Sequence, residues 1–355
     1  MRFLHILTKP FGYFSTCIPL YHIVKFLKLR EHENILVSGL DVDEEDKIYV
    51  NQIKKGERNF FRRIKLCFSA LKNIKYDFLF VYDPADIMAC AFSLPIIKKI
   101  KKIKVVCYHL ELFSLDYQNP LKKRLGKLLE QIFISNSDFF VSLSPIRMKI
   151  SEEIFRISCP KFVIPNSYDF AAQDLRQKPH KKVKVLFAGG LEKDVLEGIE
   201  DCIKNGDFIF VFHGISKYGI SEIKEKISKL KNVKIYERVL RYEDFKNFVL
   251  NHDIGFVWYN TERLNDKFAG WSASKYFRYL SCGKPVIVKN MPELKETTEE
   301  NKFGVVIDSF AQIPQAVSEI RENYAEFVNS IKENYPRFEF SPNFKVFYEH
   351  LVNSL

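Results

Sequence analysis

The sequence has little that would build a metal site, a disulfide framework or a fibrous chain. Its seven cysteines are scattered, and no two of them have the Cys-x-x-Cys spacing of a metal site or a redox motif. Most lie in apolar runs such as VVCYHL, which indicates buried, reduced thiols and a reducing compartment. Only 14 glycines and 14 prolines occur in 355 residues, which excludes a low-complexity or collagen-like chain.

The sequence also lacks a convincing membrane span. The uncharged run at residues 10–24 has only 15 residues and contains two prolines, a glycine and several polar side chains. A spanning helix needs about 20 predominantly apolar residues. No small-residue cleavage site follows the run, so a secretory signal is not indicated either. We expect a cytoplasmic protein that is soluble or peripheral on the inner face of the plasma membrane.

Positive charge is abundant and unevenly distributed. The chain has 55 Lys+Arg against 44 Asp+Glu, a net charge of +11, and residues 51–130 alone hold 17 against 7, a net charge of +10. With 46% hydrophobic residues and 33 phenylalanines, the chain is not disordered. Its length fits two domains, of which the first is basic and the second nearly neutral.

Short apolar runs alternate with amphipathic stretches along the whole chain, which is typical of parallel sheets covered by helices. The predicted strands are residues 2–8, 33–40, 76–83, 103–110, 138–144, 161–165, 183–189, 207–214, 232–239, 254–260, 284–290 and 303–309. The predicted helices are residues 57–74, 85–102, 120–136, 146–158, 191–205, 218–230, 241–252, 272–281 and 312–333.

The polar stretch at 171–182 interrupts this alternation and is the best candidate for a linker. We therefore predict an α/β protein with two Rossmann-like domains whose parallel sheets face each other across a cleft. The predicted domains are residues 1–170, which bind the acceptor and are rejoined by a C-terminal helix at about 338–355, and residues 180–337, which bind the donor.

Two glycine-containing strand ends are candidate ligand contacts. Gly189 and Gly190 follow a buried strand, where they would let the backbone approach an anion beside a helix N-terminus. A simple tight connection is equally compatible, and the three-glycine dinucleotide spacing is missing. His213 and Gly214 end the next strand, at the edge where such sheets bind ligands. His213 would either contact the ligand or make a local hydrogen bond.

The most informative motif follows the strand that ends near Asn260. Ser272 and Ser274 indicate a helix start, because serine is a preferred N-cap residue. Lys275 and Arg278 are three positions apart and so share one face of that helix. A helix N-terminus, serine hydroxyls and two cations predict a diphosphate site. The alternative is an ordinary amphipathic helix with cations exposed or paired on the surface.

Residues 274–288 (SKYFRYLSCGKPVIV) resemble the donor-binding helix of the GT-B nucleotide-sugar glycosyltransferases. The similarity is greatest to the group-one branch, including its bacterial surface-polysaccharide transferases. Three further segments resemble conserved stretches of that family in the same order, namely residues 163–169, 185–194 and 242–260. The resemblance implies the GT-B fold and transfer of a sugar from a nucleotide-sugar donor to a glycan acceptor. We further expect a lipid-linked acceptor in envelope polysaccharide (lipopolysaccharide or capsule) synthesis, which would require the protein to work at a membrane surface.

The sequence departs from the retaining branch of that family at two positions. The branch commonly carries two glutamates eight positions apart, whereas this chain has Gly270 and Arg278 there. The stereochemistry of transfer is therefore left unassigned. By analogy, Lys275 would stabilise the leaving diphosphate in the transition state. The donor-binding set implied by the resemblance is Gly189, Gly190, His213, Gly214, Val239, Asn260, Ser272, Ser274, Lys275, Arg278 and Tyr279.

Candidate acceptor residues lie in the first domain. His109 and Glu111 end its fourth predicted strand and would act as a general base or bind the acceptor, although a structural hydrogen bond is as good an explanation. The resemblance places Gly12 and Tyr13 in a loop near the sugar. The acidic run at 41–46 contains Asp-x-Asp but lies far from the donor motif, so we expect no metal and no other cofactor.

Three basic runs, at 58–65, 98–104 and 122–127, indicate a face that binds anionic lipid rather than nucleic acid. The alternative is that these cations only keep the protein soluble. Three other functions stay open at this point. They are a sugar-nucleotide epimerase with the same fold, a nucleic-acid-binding protein that uses the basic half, and a catalytically inactive, membrane-associated relative.

Overall fold

The computed structural model of the chain describes residues 1–7, 17–38, 46–55, 59–112, 118–171, 175–204, 206–216 and 220–355. The chain forms two compact units, the first made of Met1–Asn166 with Phe340–Leu355 and the second of Ser167–Glu339. The sequence predicts these divisions at 170–180 and near 338. The segment after Ser167 belongs to the second unit because it packs there, for example through the Ala171 N–H, which donates to Ser281 O at 2.8 Å.

The first unit contains a seven-stranded sheet in which every pairing is parallel. The strand order is β3-β2-β1-β4-β5-β6-β7, so the chain reverses its direction of winding between β1 and β4. Ligands of such sheets bind beyond the carboxyl ends of the strands at this point. The strands are β1 (Arg2–Leu7), β2 (Glu33–Ser38), β3 (Asn51–Lys55), β4 (Phe78–Val81), β5 (Lys104–His109), β6 (Phe139–Ser142) and β7 (Lys161–Val163).

The helices of the first unit begin where side chains can cap them. Asn59, Asp83, Asn119 and Ser144 each accept backbone N–H groups of the first helical turn, and proline follows three of these four caps. The helices are α1 (Ile18–Lys28), α2 (Phe60–Asn73), α3 (Pro84–Ala91), α4 (Leu94–Ile100), α5 (Pro120–Ser135), α6 (Pro145–Ile154) and α16 (Phe340–Val352).

Three elements of this unit differ from the prediction. The stretch predicted as one helix over 85–102 is divided into α3 and α4. The polar strand β3 was not predicted, because a short edge strand of sequence NQIKK carries no apolar pattern. The helix α1 was not predicted either. The C-terminal α16 packs against it, with Phe26 and Phe344 in edge-to-face contact at 5.0 Å between ring centroids.

The second unit contains a six-stranded sheet, again with parallel pairings throughout. Its order is β10-β9-β8-β11-β12-β13, which places the reversal of winding between β8 and β11. All six strands were predicted. They are β8 (Val183–Ala188), β9 (Phe208–His213), β10 (Val233–Tyr236), β11 (Ile254–Val257), β12 (Val286–Lys289) and β13 (Gly304–Ile307).

The helices of the second unit cover this sheet. They are α7 (Lys193–Leu196), α8 (Ile199–Ile203), α9 (Ser221–Ser228), α10 (Tyr242–Leu250), α11 (Leu264–Lys267), α12 (Ser274–Ser281), α13 (Leu294–Glu300), α14 (Ile313–Glu322) and α15 (Tyr324–Asn334). The strands β8, β9, β11 and β12 are buried on both sides, which explains their continuous apolar sequences, whereas the edge strand β10 alternates between half-buried and exposed residues. Among the described segments, none of the helices is both long enough and apolar enough to cross a bilayer.

Candidate donor site at the carboxyl edge of the second sheet

The reversal of winding between β8 and β11 brings together the strand ends that the sequence singles out. Gly189 follows β8, and Gly214 follows the neighbouring β9. The Gly189 N–H donates to His213 O at 2.9 Å. A Cβ atom on Gly214 would lie 1.7 Å from the carbonyl oxygen of Gly189, so only glycine allows this close approach. The two loops therefore form one compact backbone edge, with Gly190 directly beside it.

Lys275 reaches the same edge from the first turn of α12. Its Nζ lies 4.3 Å from the ring centroid of Tyr259, which follows β11, and 4.8 Å from that of Phe187 in β8. A Cβ atom built on Gly189 would lie 3.0 Å from this Nζ. Cation–π contacts with two rings hold the ammonium group at the point where the strand order reverses. The partly exposed Lys275 is thus directed at the glycine edge.

The start of α12 at Ser274 agrees with the sequence analysis, but the capping residue does not. The N-cap position is Ala273, and within the described chain no side chain caps this helix. The Ser272 hydroxyl instead donates to Ala269 O at 2.5 Å, inside the short 3₁₀ turn Gly270–Ser272. The prediction that serine caps α12 is therefore wrong. The N-terminus of α12, which no described side chain caps, therefore places the positive end of the helix dipole beside Lys275 at this edge.

Arg278 does not lie on the surface. Its guanidinium group is 2% exposed and lies between two tyrosine rings, 3.7 Å from the centroid of Tyr168 and 4.2 Å from that of Tyr242. Its Nε and Nη2 atoms have no hydrogen-bond partner among the residues that the structure describes. A surface ion pair, one of the alternatives for this residue, is excluded. The cation joins the start of the second unit to α10 and α12.

His213 is also buried, at 1% exposure, with its ring against Phe245 and Phe248. Burial, reinforced by the positive charge of Arg238, lowers the pKa of His213 to about 4, so the imidazole is neutral near pH 7. In the described part of the chain neither ring nitrogen finds a hydrogen-bond partner. The local hydrogen bond considered for it is therefore absent there.

Val239, which follows β10, is 37% exposed.

Tyr279 has a supporting position. It is fully buried, its hydroxyl accepts a hydrogen bond from the Ala188 N–H at 2.9 Å, and its ring fills the space that a side chain at Gly255 would need. The structure thus places it beneath the edge rather than facing a ligand, which corrects its inclusion among the donor contacts. Asn260 stays at the edge, where its Oδ1 accepts from the Glu262 N–H at 2.9 Å and shapes the loop after β11.

Lys289 was missed in the sequence. It ends β12, and its Nζ donates to Tyr259 O at 3.2 Å and to Thr261 Oγ1 at 3.1 Å, beside the ring of Trp258. Burial lowers the pKa of its ammonium group. Lys289 therefore fixes the loop after β11, whose Tyr259 ring contacts the ammonium group of Lys275. The sequence feature that could have indicated Lys289 is a lysine at the carboxyl end of β12, an apolar strand next to β11.

The predicted acceptor residues of the first unit are less accessible. His109 is 2% exposed, with its ring 5.6 Å from Phe140 and 6.0 Å from Phe155 between centroids. Burial and the nearby Arg147 lower the pKa of His109 to about 4. Its Nε2 has no hydrogen-bond partner in the described ranges. His109 is therefore too deeply buried in this structure to contact a ligand of the first unit.

Glu111 is better placed. Its carboxylate is 28% exposed, with Oε2 3.6 Å from Nη1 of the buried Arg147. That guanidinium nitrogen also donates to Leu110 O at 2.5 Å and so fixes the loop after β5. Gly12 and Tyr13 lie outside the described residues, as do positions 41–45 of the acidic run. Among the residues with described positions, no group of three or more His, Cys, Asp or Glu side chains could hold a metal ion.

Comparisons with known proteins agree with this geometry. Residues 200–339 match the family model "Glucosyltransferase 3-like, C-terminal domain". The crystal structure of Anabaena Alr3699/HepE in complex with UDP-glucose is similar over 100% of both chains, with a TM-score of 0.74 and 15% identity. The apo lipopolysaccharide outer core galactosyltransferase WaaB matches over 100% of both chains, with a TM-score of 0.66 and 13% identity.

The UDP-GlcNAc 2-epimerase from Neisseria meningitidis, bound to UDP-GlcNAc, covers 99% of this chain and 100% of its own, with a TM-score of 0.58 and 16% identity. No curated protein sequence matches the chain. These structural similarities show the GT-B fold that the sequence predicted. The family match adds that residues 200–339 are similar to the C-terminal domain of glucosyltransferase 3-like proteins.

Proposed function

We propose that this glycosyltransferase transfers a sugar from a nucleotide-sugar donor, bound by the second unit, to a glycan acceptor bound by the first. The observation that supports it most is the position of Lys275 between the Tyr259 and Phe187 rings, beside the Gly189 backbone. The solved HepE structures, which share the fold, contain UDP, UDP with glucose, or UDP-glucose. A cation at a strand-end crevice is what a diphosphate requires.

In this mechanism the oxygen of an acceptor hydroxyl bonds to the sugar carbon and gives up its proton to a base. The bond between the sugar and the diphosphate breaks, and negative charge grows on the leaving phosphate oxygen. Lys275 and the uncapped N-terminus of α12 stabilise that charge more strongly in the transition state than in the bound donor. The Gly189–Gly190 backbone, which carries no side chain, allows the phosphates to approach closely. Ser272 and Ser274 line the entry to the helix.

The nucleoside end of the donor lies, in this proposal, along the loops that follow β9 and β10. His213 is neutral at pH 7 and only 1% exposed, so in this proposal its ring supports these loops from beneath and does not itself contact the nucleoside. Val239 and Gly214 would complete the nucleoside side, and Asn260 the sugar side.

The acceptor is proposed to be a lipid-linked glycan of the bacterial envelope, so the protein would work at the inner face of the plasma membrane. The excess of 17 Lys+Arg over 7 Asp+Glu in residues 51–130 supports this proposal, because anionic lipid attracts such a surface. Glu111 is the proposed acceptor ligand or base. A sugar-nucleotide epimerase is the second candidate, favoured by the similarity to the Neisseria enzyme. An epimerase would release an altered free sugar or sugar nucleotide without any acceptor.

Nucleotide binding is the first expected result. At a ligand concentration 100-fold above Kd, the matching nucleoside diphosphate should raise the free energy of unfolding by about 2.7 kcal/mol. A thermal-shift series with UDP, GDP, CMP and ADP, and with their sugars, measures this effect. The matching nucleoside without phosphates is the control and should stabilise less. If no nucleotide stabilises the protein, the proposed function is wrong.

Metal-independent turnover is the second expected result. If Lys275 and α12 neutralise the leaving diphosphate, no metal ion is needed for that task. Turnover of the matching donor, measured by release of nucleoside diphosphate, should therefore change less than about twofold after EDTA treatment. Loss of activity in EDTA that added Mg²⁺ or Mn²⁺ restores would contradict this part of the proposal.

A further inference from the structure

Helix α5 has two apolar faces, and the core uses only one of them. Leu129 and Phe133 point inward and are at most 4% exposed. Leu121, Leu125 and Leu128 are 76%, 51% and 56% exposed, respectively. Their spacing of four and three residues places these leucines in one stripe along the helix. The outward stripe is not explained by folding of the unit.

Two further helices of the first unit also expose large apolar side chains. In α2, Phe61 is 79% exposed and Phe68 is 40% exposed. In α4, Ile96 is 54% exposed and Ile100 is 73% exposed, and Phe92 just before it is 52% exposed. Eight of the seventeen exposed large apolar side chains in the described ranges therefore lie on or next to α2, α4 and α5. They are clustered rather than scattered.

The three helices lie on the same side of the sheet, in a layer that also contains the buried α3. Each contributes to a single core cluster, through Leu71 of α2, Ile97 of α4 and Phe133 of α5. Two lysines of the α4 segment donate hydrogen bonds to backbone carbonyls at the C-terminal ends of α2 and α5. Lys101 Nζ donates to Leu71 O and Ile74 O at 2.7 Å each, and Lys98 Nζ donates to Asn136 O at 3.0 Å. We call the outward side of this layer the α2/α4/α5 face.

The exposed charges within the three helices are all positive, although Arg63 pairs with Asp86 and Lys98 with Asp138. The only carboxylate within the three helices is Glu130, which is 0% exposed. A second copy of the chain would bring like charges together, so self-association through this face is disfavoured. An anionic bilayer offers both negative headgroups and an apolar interior. The cations of the three helices are Arg62, Arg63, Lys65, Lys72, Lys98, Lys99, Lys122, Lys123, Arg124 and Lys127.

We infer that the α2/α4/α5 face binds the surface of an anionic phospholipid bilayer, with the leucine stripe of α5 inserted among the acyl chains. Cations beside an exposed apolar stripe are the pattern of helices that lie in the plane of a membrane interface. The inference rests on the proposed function only in one respect, that a lipid-linked acceptor has to be reached at a membrane. It specifies which side chains make the contact.

Vesicle co-sedimentation of the full chain tests this inference. We expect binding to vesicles of phosphatidylcholine mixed with phosphatidylglycerol, weaker binding at high salt, and little binding to phosphatidylcholine alone. The variant Leu121→Ser/Leu125→Ser/Leu128→Ser keeps every charge and should bind at least about tenfold more weakly. The matched control Leu29→Ser/Val346→Ser changes residues that are 84% and 56% exposed elsewhere on the unit and should bind like the original chain.

Two results would overturn the inference. The first is equal binding of the leucine variant and the original chain to the mixed vesicles, or no binding by either. The second is a dimer in light scattering that the leucine variant converts to a monomer, since the stripe would then be a contact between copies. Nucleotide-induced stabilisation is measured on the same variants. Vesicle binding without nucleotide stabilisation would reject the proposed function and leave this inference intact.

Discussion

Replacing Lys275 by alanine is expected to reduce turnover at least about 100-fold, the range found when a single preorganised charge-stabilising group is removed from an active site. The reason is geometric. The Lys275 ammonium group lies at the crevice between β8 and β11, held by the faces of Tyr259 and Phe187. It would interact most strongly with the charge that develops on the leaving phosphate, so the loss should be larger in kcat than in donor affinity.

The control for this experiment is Lys229→Ala, which removes the same side chain and charge at a position that is 70% exposed and paired with Glu225 on the surface. It should leave kcat within about twofold. Lys275→Arg keeps the positive charge and should recover part of the activity. The Lys275→Ala protein should unfold at nearly the same temperature as the original in the absence of nucleotide. Normal turnover by Lys275→Ala would remove this residue from the mechanism.

The strands of the second unit could be predicted from the sequence because all but β10, whose residues alternate, are apolar runs bounded by polar or glycine-containing loops. The start of α12 was predictable for a similar local reason, although its cap was not. What the sequence could not show is the partner of each cation. Lys275 rests on rings from β8 and from the loop after β11, so its position depends on a parallel pairing between residues about seventy positions apart.

The surroundings of Arg278 could not be predicted from the sequence either. Its spacing of three from Lys275 predicted a shared face and a shared ligand. In the fold, Tyr168 and Tyr242 enclose its guanidinium group, whereas the rings around Lys275 belong to other residues. The enclosing rings come from the start of the second unit and from α10, and neither contact has a local sequence signal. In the first unit, β3 was missed because a polar edge strand needs no apolar alternation.

Four buried histidines make the folded protein sensitive to acid. They are His5 and His109 in the first unit and His213 and His252 in the second, and burial lowers the pKa of each from 6.5 to about 4. The His5 ring shows how such a site is arranged. Its Nδ1 is 2.8 Å from Tyr82 Oη and its Nε2 is 3.1 Å from Asn34 Oδ1. The Asn34 amide donates to backbone carbonyls, which leaves its oxygen to accept from His5 Nε2. A neutral ring satisfies both contacts.

The sign of the effect follows from proton binding. Between pH 6.5 and about 4 the unfolded chain holds protons on these histidines that the folded chain does not, so stability falls as the pH falls through this window. From pH 7 to pH 5 each histidine should lower the free energy of unfolding by about 2 kcal/mol, hence by about 4 kcal/mol for each unit.

Urea unfolding at a series of pH values measures this loss of stability. His213→Phe, which places an apolar ring against Phe245 and Phe248, should flatten the pH dependence by about one proton. An unfolding free energy that stays constant from pH 7 to pH 5 would show that these rings bind protons in the folded protein as readily as in the unfolded chain.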